Sequence, residues 1–93
     1  MTTLKSQVSL SDQVMFRDLG GEMVLLHIES GKYYGLDDVG ARMWALLSEN
    51  GSLDAAYHAL LEEYQVAEEQ LQADLVRLVD ELAGQGLLTV VET

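Results

Sequence analysis

The two histidines are the side chains of this chain best suited to bind a metal ion or to transfer a proton near neutral pH. His27 lies in an apolar run and His58 lies beside Tyr57 in a helical pattern, and neither has the HxxxH spacing of a metal-binding pair. The chain has no cysteine, and a typical zinc site needs three or four ligands. The sequence therefore predicts structural or surface roles for both histidines and no metal site.

Three pairs of adjacent acidic residues supply the carboxyl groups that acid–base catalysis would need. Adjacent residues on a helix point in different directions, and these segments lack the apolar surroundings that tune a carboxyl group for catalysis. The sequence also has no GxSxG motif, no phosphate-binding glycine loop and no cysteine nucleophile. A solvated helix face explains the acids better, and we expect neither catalysis nor a cofactor. The pairs are Glu62 with Glu63, Glu68 with Glu69, and Asp80 with Glu81.

Two adjacent tyrosines in the segment KYYGL, residues 32–36, are the other notable side chains. Strand alternation places Tyr34 with Leu36 on one face and Tyr33 with Gly35 on the other. If one face of the strand packs beneath the helices, the tyrosine on that face is explained as a core residue. For the other tyrosine, an ordinary exposed aromatic and a binding role are both compatible with the residues alone.

Three short β-type runs position these tyrosines: VMFRDL, EMVLLHI and KYYGL. Gly20-Gly21 and Glu29-Ser30-Gly31 separate them and are typical hairpin signals. EMVLLHI is apolar on both alternating faces, which favours the middle position of three. KYYGL is then an edge strand, and its outer N–H and C=O groups need water, a neighbouring element or a partner backbone.

Three amphipathic helices follow the strands. The first has Asp37 as its N-cap and ends at Asn50-Gly51, and the second is capped by Ser52. The third starts around residues 67–69 and ends in Gly84-Gln85-Gly86. The order predicts an α+β domain of winged helix-turn-helix type, with a three-stranded antiparallel sheet followed by three helices.

The domain organisation follows from the same patterns. Residues 1–12 are polar and predict a flexible lead-in, whereas residues 13–93 form a single domain. The apolar segment at residues 87–92 is expected to fold back as a short extended tail. Trp44 is expected to belong to the core, at the edge of an apolar stripe from which its indole N–H could still reach water or a polar partner.

The charge balance restricts the partners. Sixteen acidic residues against five basic ones give a net charge of −11, which disfavours nucleic acid and anionic membranes and favours a peptide that carries Lys or Arg. No signal peptide and no run of about 20 apolar residues is present, so we expect a cytoplasmic protein. At 93 residues the chain suits one domain without a large catalytic cleft.

The segments GGEMVLLHIESGKYYGLDDVGARMW, LLEEY and ADLVRLVDELAGQGLL resemble the PqqD family and the related RiPP recognition elements. These are small winged-helix-like domains of ribosomal peptide natural product biosynthesis, and the resemblance covers residues 13–88. A separate chain with YYGLD and GARMW is most similar to the discrete leader-binding proteins of lasso peptide clusters. Asp37 stands where PqqD itself tends to have Asn, which favours the lasso branch.

The resemblance implies a non-catalytic protein that holds the leader of a precursor peptide. It would present the leader to a transglutaminase-like cysteine protease and to an ATP-dependent, asparagine-synthetase-like macrolactam synthetase. The implied mechanism is β-augmentation, with the leader antiparallel to residues 32–36 in a groove beside the third helix. The backbone groups of Tyr33 and Gly35, or of their neighbours in the other register, would supply hydrogen bonds.

The resemblance also assigns side chains to the peptide site. The apolar ones would floor pockets, and Asp74 would meet a leader cation or a backbone N–H. Asp74 and Leu75 rest on the match of ADLVRL to the family's Asp-Leu, and Leu71 rests on helical spacing. The full set is Lys32, Tyr33, Tyr34, Gly35 and Leu36 on the strand, with Leu71, Asp74, Leu75 and Leu78 on the third helix.

Three alternatives remain. The first is a PqqD-type peptide chaperone for a radical SAM enzyme. The second is a winged-helix DNA-binding regulator, although residues 68–82 carry five acids and only Arg77 as a base. The third is a structural subunit that uses the strand edge to form homo-oligomers.

Overall fold

The computed structural model describes residues 2–91 and confirms the predicted α+β architecture. A three-stranded antiparallel sheet is followed by three helices, and a second, two-stranded sheet joins the two ends of the domain. Among these residues no helix is both long and apolar enough to cross a bilayer. The elements are β1 Gln7–Leu10, β2 Val14–Asp18, β3 Met23–His27, β4 Tyr33–Leu36, α1 Asp38–Asn50, α2 Leu53–Glu63, α3 Glu68–Gly84 and β5 Leu88–Val91.

The three-stranded sheet has the order β2-β3-β4, so the predicted middle strand and edge strand are both confirmed. Its hairpin glycines Gly20 and Gly21 have φ values of 78° and 106°, which side chains with a Cβ rarely adopt. Met23 and Leu25 on the inner face are buried against the helices. Their neighbours on β3 face the opposite side and form part of the outer face of the sheet, which is described below.

The helix boundaries follow the predicted capping residues. Asp37 Oδ1 accepts a hydrogen bond from the Gly40 N–H at 2.8 Å, and Ser52 Oγ accepts one from the Ala55 N–H at 3.2 Å. Gly51 ends α1 in the left-handed region with a φ of 80°. Each cap satisfies an N–H that has no partner inside its helix, so local sequence fixes these two helix starts.

The core lies between the helices and the inner face of the sheet. Trp44 is fully buried, and its Nε1–H has no hydrogen-bond partner within residues 2–91. The expected core position of Trp44 is confirmed, but its N–H reaches no polar group among these residues. The reason is that β2 covers the indole, since the Phe16 ring meets it edge-on with ring centroids 5.5 Å apart.

The expectation of a flexible lead-in over residues 1–12 is wrong where β1 lies. β1 pairs antiparallel with β5, with Gln7 opposite Val91 and Leu10 opposite Leu88. The Val8 N–H donates to the Gly51 carbonyl at 2.7 Å, and the Val8 side chain is buried. The lead-in is ordered because it supplies one apolar side chain to the core and a strand partner to β5. Met1 lies outside the described residues.

β5 confirms the predicted extended tail for residues 88–91. The tail was expected to run to residue 92, and Glu92 and Thr93 lie outside the described residues. Leu87 and Leu88 are buried and anchor the tail to the core. The Leu87 N–H donates to the Leu82 carbonyl at 3.0 Å, which turns the chain directly from α3 into the strand.

Candidate functional site

The exposed edge of β4 carries backbone groups that the sheet does not use. The His27 N–H donates to the Lys32 carbonyl at 2.9 Å, and this pair continues the β3–β4 register by one position beyond Leu26 and Tyr33. Because hydrogen-bonded and non-hydrogen-bonded pairs alternate in an antiparallel ladder, the backbone groups of Tyr34 and Leu36 face β3. Those of Tyr33 and Gly35 face outward. We call these outward groups the β4 edge.

The β4 edge has no competing partner in the part of the chain that the structure describes. No turn, loop or side-chain hydrogen bond within residues 2–91 engages the N–H or C=O of Tyr33 or Gly35. The edge therefore offers two donors and two acceptors, in the spacing that an added strand requires.

The side chains of β4 divide between two faces as the alternation predicts. Leu36 is buried, and Tyr34 is half-buried, with its hydroxyl donating to Gln85 Oε1 at 2.6 Å. Tyr33 points to the other side and is 69% exposed. The hydrogen bond from Tyr34 ties β4 to the end of α3, which leaves Tyr33 as the tyrosine with free surface.

An open groove of about 310 Å³ lies between the start of α1 and α3. Two of the predicted residues, Asp74 and Leu78, line it. Sequence reasoning left out Arg77 and Glu81, although both share a helix face with Asp74 through i+3 and i+7 spacing. We call this the α1–α3 groove. Its lining residues are Asp37, Val39, Gly40, Met43, Asp74, Arg77, Leu78 and Glu81.

The other two predicted leucines of α3 lie in the core. Leu71 is 3% exposed and Leu75 is 0% exposed, so neither offers surface to a peptide in this conformation. They hold α3 against the remaining helices. A direct contact of either leucine with a peptide stays a prediction and would require α3 to shift.

The α1–α3 groove is predominantly acidic. Its lining contains the carboxylates of Asp37, Asp74 and Glu81 against the single guanidinium of Arg77. Asp74 Oδ1 already accepts hydrogen bonds from Gln70 Nε2 at 2.8 Å and from Arg77 at 3.1 Å. Within residues 2–91 neither bond reaches Oδ2, so this oxygen can accept from a ligand. The groove therefore favours a cationic group or an N–H donor.

The ionisable groups with clear pKa shifts stabilise contacts between helices. A two-pronged hydrogen bond from Arg42, at 2.8 and 2.7 Å, holds the pKa of Glu63 below its ordinary value. Burial raises the pKa of Tyr57, and the charges of Glu68 and Glu69 raise it further. These groups join α1 to α2 and α2 to α3, and none of them lines the α1–α3 groove.

Comparison with known proteins gives one family and two solved structures. The model of the family described as coenzyme PQQ synthesis protein D (PqqD) matches residues 22–88, well over half of the chain. Among curated proteins no relative matches.

Both solved structures contain a bound leader peptide. One is TbiB1 in complex with the TbiA(beta) leader peptide, with 35% sequence identity and a TM-score of 0.85 over 91% of this chain and 99% of that one. The other is a lasso peptide synthetase B1 complexed with the leader peptide, with 27% identity and a TM-score of 0.80 over 88% of this chain and 96% of that one.

Proposed function

We propose a function for this chain, which belongs to the PqqD family. It is a non-catalytic adaptor of lasso peptide biosynthesis that binds the leader segment of a precursor peptide. The support for leader binding is the pair of similar structures, each of which holds a leader peptide. The single observation that carries the proposal on this chain is the β4 edge, whose outward backbone groups have no partner within residues 2–91.

The binding mode is β-augmentation, in which the leader adds an antiparallel fourth strand to the sheet beside β4. The N–H and C=O groups of Tyr33 and Gly35 exchange hydrogen bonds with the leader backbone. These bonds do not depend on leader sequence, and each contributes about 0.5–1.5 kcal/mol net. Side-chain contacts must therefore supply the specificity.

The α1–α3 groove is the side-chain site that this geometry favours. β4 runs toward the start of α1, so the N-terminal part of an antiparallel leader extends past Leu36 toward the groove. There Leu78 offers an apolar contact, and Asp74 Oδ2 accepts from a Lys or Arg side chain or from a backbone N–H. The net charge of −11 steers a cationic leader toward the protein.

The adaptor would pass the bound leader to enzymes that cut and cyclise the precursor. Following the family resemblance, these partners are a transglutaminase-like cysteine protease and an asparagine-synthetase-like macrolactam synthetase. A co-purification of the chain with each enzyme, with and without leader, tests this part separately from leader binding.

The substitution Gly35→Pro tests the binding mode. Proline removes the outward N–H of residue 35, and that N–H takes no part in the β3–β4 ladder. A synthetic leader is expected to bind about tenfold more weakly by calorimetry, the effect of losing one such hydrogen bond, while the far-UV circular dichroism of the helices is unchanged. Unchanged leader affinity in a folded Gly35→Pro variant would contradict strand addition at β4.

Two further measurements locate the leader. Methylation of successive backbone nitrogens of the leader should weaken binding at every second position, because alternate amides of an added strand face β4. Amide NMR signals should shift mainly at residues 32–36 and 70–79 when leader is added. Shifts confined to other parts of the chain would place the peptide elsewhere.

A further inference from the structure

The outer face of the three-stranded sheet is largely apolar although it faces away from the helices, and Arg17, opposite Val24, is the charged residue among those that line its recess. Met15 and Tyr33 are 59% and 69% exposed there, and with Val24, Leu26 and their neighbours they line an open recess of about 500 Å³. An antiparallel sheet with one face on the core normally has a polar solvent face. This side of the sheet therefore has the composition of a contact surface.

Gly35 lies on this outer face, and nothing within residues 2–91 requires a glycine there. Its φ is outside the left-handed region, unlike the φ of the hairpin glycines, and the β3–β4 register runs through it without a bulge. A Cβ built on Gly35 meets no atom within 4 Å. Glycine inside a strand costs about 0.5–1 kcal/mol relative to alanine, and it often marks a place where a ligand or another backbone approaches closely.

The missing side chain leaves a notch in the outer face. Val24 lies directly opposite Gly35 and borders the notch on the side of β3, and Leu26 lies opposite Tyr33. Tyr33, two residues before Gly35 on the same face, forms one wall. The remaining side of the notch is open at the β4 edge, where the backbone groups of Gly35 point outward.

We propose that this notch, which we call the Gly35 notch, binds a large apolar side chain of the leader. The proposal rests on the leader binding proposed above. A leader strand paired with β4 places one residue directly opposite Gly35, with its side chain on the outer face. That side chain lies across the glycine onto Val24 and packs against the ring of Tyr33.

The Gly35 notch gives the leader a second specificity site, on the side of the sheet opposite the α1–α3 groove. Because the strand is antiparallel, the leader residue opposite Tyr33 lies two positions C-terminal to the one in the notch. Successive side chains of the bound leader therefore point alternately to the two faces of the sheet, and each face recognises every second leader residue. Tyr33 contributes its backbone to the shared hydrogen bonds and its side chain to specificity.

Selection from a phage-displayed library of random peptides tests this without knowledge of the precursor. Wild type, Gly35→Val and Met15→Ala each serve as bait. Peptides selected on wild type and on Met15→Ala should share a large apolar residue at one fixed position. Peptides selected on Gly35→Val should carry a small residue there and keep the other preferences, because the valine fills the notch. Met15 is the matched control, since it is exposed on the same face but lies on β2.

Affinity measurements by fluorescence anisotropy complete the test. The best wild-type peptide should bind Gly35→Val about tenfold or more weakly, which is the effect of excluding one large apolar side chain. Replacing that peptide residue with alanine should weaken binding to wild type by a similar factor and should have little further effect on Gly35→Val. Thermal unfolding should show that Gly35→Val is at least as stable as wild type, since valine favours strands.

Two outcomes separate this inference from the proposed function. If the selected peptides shift the amide signals of residues 32–36 but bind Gly35→Val as tightly as wild type, the proposed binding of a side chain in the Gly35 notch is wrong. Leader binding at the β4 edge then still stands. If no peptide can be selected on wild type, or if none of the selected peptides shifts those signals, both the notch and the proposed binding mode are overturned.

Discussion

Replacing Gly51 with alanine should destabilise the protein more than the same change at Gly31. Both glycines have left-handed φ values, 80° and 72°. A Cβ at Gly51 would lie 2.7 Å from the Val8 carbonyl oxygen, whereas a Cβ at Gly31 would meet nothing within 4 Å. Gly31→Ala is therefore a matched control that changes only the backbone preference.

The expected losses follow from the contacts. Each alanine costs about 1–2 kcal/mol for the left-handed conformation. At Gly51 the close approach must also displace β1, which strains the Val8 N–H bond to Gly51 and exposes the buried Val8 side chain. A hydrogen bond and part of a buried valine add roughly 2 kcal/mol. The midpoint of thermal unfolding of Gly51→Ala should then lie roughly 10 °C below that of Gly31→Ala.

Urea unfolding, followed by circular dichroism and by the fluorescence of Trp44, measures both losses. Deleting residues 2–10 should reduce the effect of Gly51→Ala to that of Gly31→Ala, because the clashing carbonyl is gone. Equal losses for the two variants in the full-length chain would refute the idea that β1 packs tightly on the turn between α1 and α2.

Three further predictions concern single contacts. Phe16→Ala should lower the free energy of unfolding by about 1 kcal/mol in urea titration, because it removes the edge-on contact with Trp44; no change would mean that the contact does not form in solution. Glu63→Gln should lower stability by less than about 1 kcal/mol at neutral pH, since the Arg42 pair is partly exposed. The folded-state pKa of Glu63 is lowered, so its contribution to the free energy of unfolding is present above the unfolded pKa of about 4.3 and is lost as pH falls through the folded pKa. The free energies of unfolding of wild type and variant should therefore become equal in acid. A difference that does not change with pH would contradict the ion pair. Association of a Lys- or Arg-containing leader should slow as salt rises from about 0.1 to 1 M, where the Debye length falls from about 10 to 3 Å; a salt-independent rate would exclude charge steering.

The sequence predicts the parts of this fold that are encoded locally. Gly20-Gly21 and Ser30-Gly31 delimit three strands, and alternation within EMVLLHI identifies the middle one. Asp37 and Ser52 act as caps because a side-chain oxygen needs only an N–H three residues away. Turns, caps and alternation depend on neighbours in the chain, so one sequence is sufficient to predict them.

The parts that sequence reasoning misses depend on contacts between distant segments. β1 has only four residues, two polar and two apolar, and its partner β5 lies at the other end of the chain. The apolar stripe of α3 predicts a buried face, but its period cannot show that Leu75 is covered while Leu78 lies at a groove. Arg77 has the right spacing from Asp74, but only the position of α1 shows that it lines the groove.

The pairing of β1 with β5 brings residues 7 and 91 side by side, about one strand spacing apart. A domain whose entry and exit points are neighbours can be spliced into a surface loop of another protein without stretching the host chain. The same proximity allows a circular permutation, in which a short linker joins the present ends and new ends open at the exposed Gly20-Gly21 turn. The fold can thus be inserted into another protein as a complete peptide-binding domain.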